Sequence, residues 1–135
     1  MGTRRQAREL ALQSLYLIDT CNADVESALK TTLADTSNRT IREFCVHLTE
    51  GVAKQKDEID GLLVKYAENW DLKRMAAVDR NILRLAAFEI LTDVSTPVSV
   101  IIDEAIEIAK NFSMQDSSKF VNGILDKVKN ERKAP

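Results

Sequence analysis

Apart from its last residue, this chain contains one proline, Pro97, and glycine stands only at positions 2, 51, 61 and 123. Sandwiches and barrels reverse direction at many tight turns, which glycine and proline supply. So few breakers point to long helices, and the apolar residues agree. Thr3-Arg4-Arg5-Gln6 reads as a capping box. Ala7, Leu10, Ala11, Ser14, Leu15 and Ile18 then share one face of a helix to about Asp19. A shorter run follows Asp24, with Val25, Ala28, Leu29 and Leu33, before the polar loop 35–39. Thr40-Ile41-Arg42-Glu43 reads as a second capping box, opening one long amphipathic helix to about Tyr66. The next helix is expected from about Asp71 to Leu91. Leu72, Met75, Ile82, Leu83, Ala86 and Ile90 form its stripe, while Val78, Leu85 and Phe88 point elsewhere. A helix apolar nearly all round packs on several sides, so this one is expected at the centre. Beyond Pro97, Ser99 is placed to cap a fifth helix, and Val121, Ile124, Leu125 and Val128 belong to a sixth. The tail 130–135 is expected to fray.

With 135 residues the chain has length for one domain with a real core. No uncharged run is long enough to span a membrane, and no secretory segment leads the sequence. Cys21 and Cys45 form no C-x-x-C pair and read as reduced thiols of a cytoplasmic protein. His47 is the only histidine, which excludes zinc sites built from Cys and His as well as a di-iron bundle. Glu43, His47 and Glu50 read as a surface charge cluster. Asp103, Glu104 and Glu107 lie where carboxylates complement a helix dipole. No phosphate loop, dinucleotide fingerprint or nucleophilic triad is present, so the chain reads as no enzyme, with no catalytic residue, metal or cofactor.

The formal charge of −2 argues against nucleic acid until it is divided along the chain. Residues 1–20 and 119–135 hold 8 Lys and Arg against 4 Asp and Glu, whereas the middle holds 11 against 17. A local field, not net charge, governs phosphate binding. On the first helix Arg5, Arg8, Leu12 and Tyr16 cluster within about 80° of one another, opposite the core stripe, with Arg4 between. Guanidiniums hold phosphates and an aromatic ring stacks a base; a merely solvated face, with Leu12 and Tyr16 packed on another helix, is the competing interpretation. On the last helix Asp116, Phe120, Gly123 and Lys127 form a stripe beside the core, where glycine permits close helix packing or a partner's approach. Asp79 points among apolar neighbours and needs an arginine, a helix N-terminus or a partner surface.

Four blocks carry a resemblance. The segments 4–16 (RRQARELALQSLY), 82–91 (ILRLAAFEIL), 103–110 (DEAIEIAK) and 116–126 (DSSKFVNGILD) resemble, in order and spacing, the bacterial NusB family of transcription antitermination factors. The resemblance spans essentially the whole chain. It implies an all-α fold of about six to seven helices, arranged as two perpendicular three-helix bundles in one compact domain over residues 1–135. It also implies a heterodimer with NusE, a small-subunit ribosomal protein. That pair would bind single-stranded boxA RNA and help assemble an antitermination complex with NusA, NusG and RNA polymerase, notably on ribosomal RNA operons. By motif position the RNA-binding residues would be Arg4, Arg5, Arg8, Tyr16, Asp116 and Phe120. The NusE-binding or shared surface would hold Asp79, Tyr16, Phe120 and Asp116. A homodimer masking the RNA face stays open. Gln6 and Ser99 stand where relatives often carry basic residues, which subtracts charge, and Phe88 replaces a frequent tyrosine. A protein-only helical adaptor is one alternative. The RNA-binding module of a ribosomal RNA methyltransferase is another, disfavoured for want of a cofactor domain.

Overall fold

A computed structural model describes residues 2–68, 70–114 and 116–132. Seven α-helices and no strand occur among them: α1 (Gly2–Cys21), α2 (Val25–Thr32), α3 (Arg39–Lys54), α4 (Lys56–Tyr66), α5 (Ala77–Thr92), α6 (Val98–Phe112) and α7 (Ser117–Val128). α1 packs on α2 and α3, making one three-helix bundle. α4, α5, α6 and α7 pack together beside it, and α5 also meets α1 and α3. The centre is α5, whose residues 81–90 are all buried.

Helix boundaries follow backbone accounting more than the simplest capping patterns. α1 begins at Gly2, so Thr3 lies inside its first turn and does not cap it. Its end is marked by Asn22 at φ 55°, left-handed, with Ala23 N–H donating to Leu17 C=O. Asn38, not Thr40, caps α3, its Oδ1 accepting from Ile41 N–H at 3.0 Å. The single helix expected over 40–66 breaks at Gln55 (φ −106°, ψ 18°). The break lets α3 stay against α1 while α4 turns to α5 and α7. Asp71 caps only a 3₁₀ turn, Leu72–Arg74, and α5 starts later, at Ala77. α6 starts at Val98, directly after Pro97, so Ser99 is not its cap.

The fraying expected from residue 130 does not hold over 130–132. Lys129–Glu131 form a 3₁₀ turn. Arg132 donates to the carbonyls of Ile90, Thr96 and Asp93 at 2.7–2.8 Å, satisfying groups left open beyond α5. Residues 133–135 lie outside the described residues. Close approach between the bundles depends on Gly51, because a Cβ there would sit 2.1 Å from the Phe88 ring. At Gly123 a Cβ would meet nothing within 4 Å, so close helix packing is not its reason.

Candidate nucleic-acid interface

The N-terminal half of α1 carries the arginines, and the structure separates their fates. Arg8 is buried, its side chain 5% exposed, and its guanidinium holds both Glu89 oxygens on α5 at 2.8 and 2.9 Å. It reaches Glu104 on α6 at 3.4 Å as well. Such a fork-on-fork ion pair uses most of the donors a phosphate would need. The expected open stripe is corrected at Arg8, because this side of α1 faces α5; Leu12 is buried there too, packed on another helix as the competing interpretation has it. Arg5 is partly open and donates to both Glu104 oxygens, through Nε at 3.0 Å and Nη2 at 2.5 Å. These hydrogen bonds raise the Arg5 pKa and, with Arg8 nearby, hold Glu104 below the usual carboxylate value against the opposing effect of burial. Arg4 is the most accessible of the three. Its guanidinium lies over the Phe44 ring at 4.3 Å and approaches Asp93 at 3.9 Å. Hydrogen bonds from Thr96 and Ser95 hold Asp93 low.

A different constellation lies at the other end of α5. Asp79, nearly buried, accepts hydrogen bonds from the hydroxyls of Ser113 and Ser117, the latter at 3.1 Å. Asp79 lies in the first turn of α5, and its two hydroxyl donors stand at the end of α6 and the start of α7; among the described residues no arginine bonds to it. Beside it opens a groove of about 780 Å³, lined by Trp70, Asp71, Arg74, Met75, Asp79, Met114, Asp116 and Phe120 among others. Three carboxylates against one guanidinium make this groove acidic. Trp70 meets Phe120 edge to face, with ring centroids 4.7 Å apart, yet remains 58% exposed.

Tyr16 connects the two regions along α1. Arg8 pairs with Glu89, while Asp19 pairs with Arg80 at 2.7 Å, so α1 and α5 run antiparallel. That register sets Tyr16 level with about Ile82, nearer the Asp79 end, and it is 40% exposed. Arg4 and Arg5 therefore share the first turns of α1 and Tyr16 lies about three turns further along it, whereas Asp79, Asp116 and Phe120 gather around the groove. The expected residues form two neighbourhoods linked by a helix rather than one compact spot. Sequence reasoning missed Glu89 and Trp70 and assigned Glu104 to dipole compensation alone. No periodic signal distinguishes a buried glutamate that locks an arginine. An exposed tryptophan in a chain with only one was a signal that could have been used. No group of three or more His, Cys, Asp or Glu suited to a metal occurs among the described residues. No helix there is long and apolar enough to cross a membrane. Both cysteines are free; burial pushes the Cys45 thiol up.

Comparisons with known proteins extend this picture. The model of the NusB family matches residues 5–130. The transcription antitermination protein NusB of Elusimicrobium minutum is 46% identical, covering 98% of this chain and 97% of its own length. Its counterpart in Myxococcus xanthus is 44% identical, with 95% of each covered. Among solved structures, T. maritima NusB superposes with a TM-score of 0.90 at 39% identity, covering 98% of this chain and 93% of that one. A crystal structure of antitermination factors NusB and NusE in complex with dsRNA shares the fold, with TM-score 0.89 at 24% identity, covering 97% and 98%.

Proposed function

This chain belongs to the NusB family of transcription antitermination proteins, and we propose that it acts as a scaffold for single-stranded boxA RNA in partnership with NusE. The observation that carries this reading is the charge difference between its two exposed regions. Arg4 and Arg5 offer cations at the start of α1, whereas Asp71, Asp79 and Asp116 surround the Phe120 groove. A phosphate chain favours the first and is repelled by the second. A basic ribosomal protein has the opposite preference. In this reading Arg4 and Arg5 meet phosphates, Tyr16 and Phe120 present rings to unstacked bases, and Asp79 and Asp116 lie toward NusE. Arg8 acts through its neighbours, by holding Glu104 where that carboxylate orients Arg5. The NusB–NusE structure with dsRNA supports a joint surface in the family. Assembly with NusA, NusG and RNA polymerase at ribosomal RNA operons, in the cytoplasm, follows from the same reading.

Titrating a labelled boxA oligonucleotide with and without NusE, against a scrambled control, tests it. Tighter binding in the presence of NusE, selective for boxA, is the expected result. Equal affinity for the scrambled strand, or no gain from NusE, would favour a protein-only adaptor.

A further inference from the structure

Trp70 and Phe120 form a ridge with a groove on either side. The acidic groove is one. The other, about 490 Å³, runs along α7 and is lined by Tyr66, Glu68, Trp70, Lys119, Phe120, Gly123 and Lys127 among others. Three features of this second groove find no use within the fold. The first is the chain's only tryptophan, 58% exposed although it packs edge to face on Phe120. Most of a large apolar ring is left in water, where it stabilises little. The second is Gly123, exposed in the interior of α7. Its φ is not positive, and a Cβ added there would meet nothing within 4 Å. Alanine at such a site would stabilise the helix, so the fold itself gives no reason for glycine. A bare stretch of helix backbone does, however, let a ligand chain approach closely. The third is the pair Lys119 and Lys127, exposed and eight residues apart, which puts both cations along the same side of α7.

We propose that this groove is a second segment of the RNA path: an unstacked base lies on Trp70, and the sugar–phosphate backbone crosses α7 over Gly123 between Lys119 and Lys127. The inference rests on the RNA-binding reading and extends it from Phe120 to Trp70, Lys119, Gly123 and Lys127. Aromatic faces bind bases with little regard to sequence, and lysines neutralise the flanking phosphates. The acidic groove across the ridge, with Asp71 and Asp79, is left to the protein partner, so the ridge divides the two ligands. Asp116 lines both grooves and sits at their boundary.

Because Trp70 is the only tryptophan, its emission reports this groove directly. A single-stranded boxA oligonucleotide is titrated into the full chain with NusE present, following tryptophan quenching alongside the anisotropy of a labelled strand; NusE alone gives the baseline. Quenching that saturates together with anisotropy is expected. Trp70→Ala should weaken RNA binding about five- to hundredfold, and Trp70→Phe should recover most of that loss. Gly123→Ala should raise the melting temperature of the free protein yet weaken RNA binding, opposite signs that a purely structural role would not produce. Circular dichroism checks that each variant keeps its helicity. Anisotropy that saturates while emission and the Trp70→Ala affinity stay unchanged would overturn the second segment and leave the RNA reading standing. Quenching by NusE alone, with NusE affinity rather than RNA affinity lost in Trp70→Ala, would reassign the ridge to the protein. No RNA binding by the wild-type pair would overturn both.

Discussion

Removing the guanidinium of Arg8 would leave Glu89, 3% exposed, with its charge buried and its two strongest hydrogen bonds gone. Breaking one side of a buried ion pair costs about 3–5 kcal/mol, because the surviving charge has neither partner nor water. Arg8→Ala should therefore lower the unfolding free energy from urea titration by that amount, and the protein that stays folded should lose RNA affinity only so far as Glu104 no longer orients Arg5. Arg5→Ala should behave in the reverse way. Its pair with Glu104 is partly open to water, so about 1 kcal/mol or less is at stake, while RNA affinity falls. A further consequence concerns pH. Arg5 holds Glu104 below the usual carboxylate value, so in the acid range the unfolded chain binds a proton more readily than the folded one. The stabilisation is complete above the ordinary carboxylate value and is lost as pH falls through the lowered one. Urea titrations between about pH 6 and 3 should show a shallower acid decline in Glu104→Gln than in the wild type. A parallel decline would assign the acid sensitivity to other carboxylates, Asp19 among them, which Arg80, Asn81 and Arg84 hold low despite partial burial.

Between elements, the closest fit is α3 against α5. The Phe88 ring is 3% exposed and lies over the bare backbone of Gly51, so a methyl at position 51 has nowhere to go unless that ring moves. Gly51→Ala should cost about 1–3 kcal/mol by overpacking, and adding Phe88→Ala should make the two changes less destabilising than their sum. Thermal melts of the two single variants and the double variant check this; strict additivity would separate the residues. The apolar residues from Ile82 to Ile90, broken only by Arg84 and Glu89, made the centrality of α5 legible, since a helix apolar nearly all round has to be surrounded. The break at Gln55 was not legible. Val52 and Ile59 keep the same helical phase across it, and the cause is tertiary: α3 belongs with α1 while α4 belongs with α5 and α7. Phase also misplaced Arg8. It ranks directions around α1 correctly, but cannot tell that the side opposite the first core stripe meets a second helix bearing Glu89. At the C-terminal end, the expectation of a frayed tail beyond the last helix took no account of Arg132, whose guanidinium binds three backbone carbonyls. Arg132→Ala should destabilise the protein by about 1–3 kcal/mol, more than an exposed arginine would, because the bonds are part-buried and charge-assisted.

At the scale of the whole molecule, the acidic total of −2 and the cationic ends are both consequential. The accessible cations on α1 are Arg4 and Arg5, the latter partly open although Glu104 holds it, whereas Arg8 is buried against Glu89 and Glu104. On single strands each neutralised phosphate contributes roughly −0.7 to the log–log slope of affinity against salt. If about 3 to 5 phosphates are met in the complex with NusE, the slope lies near −2 to −3.5. In the proposed complex NusE would supply further cations, so the free chain's slope should be shallower and its affinity weaker at every salt concentration. Arg5→Ala should flatten the slope of the complex by about 0.7, whereas Asp79→Ala, on the acidic side, should weaken assembly with NusE and leave the slope of the free chain unchanged. Binding isotherms at a series of potassium chloride concentrations measure all of these together. An identical slope with and without NusE would mean that the partner adds no phosphate contacts and that every one counted by the slope comes from this chain; only a slope near zero would leave stacking alone to hold the strand.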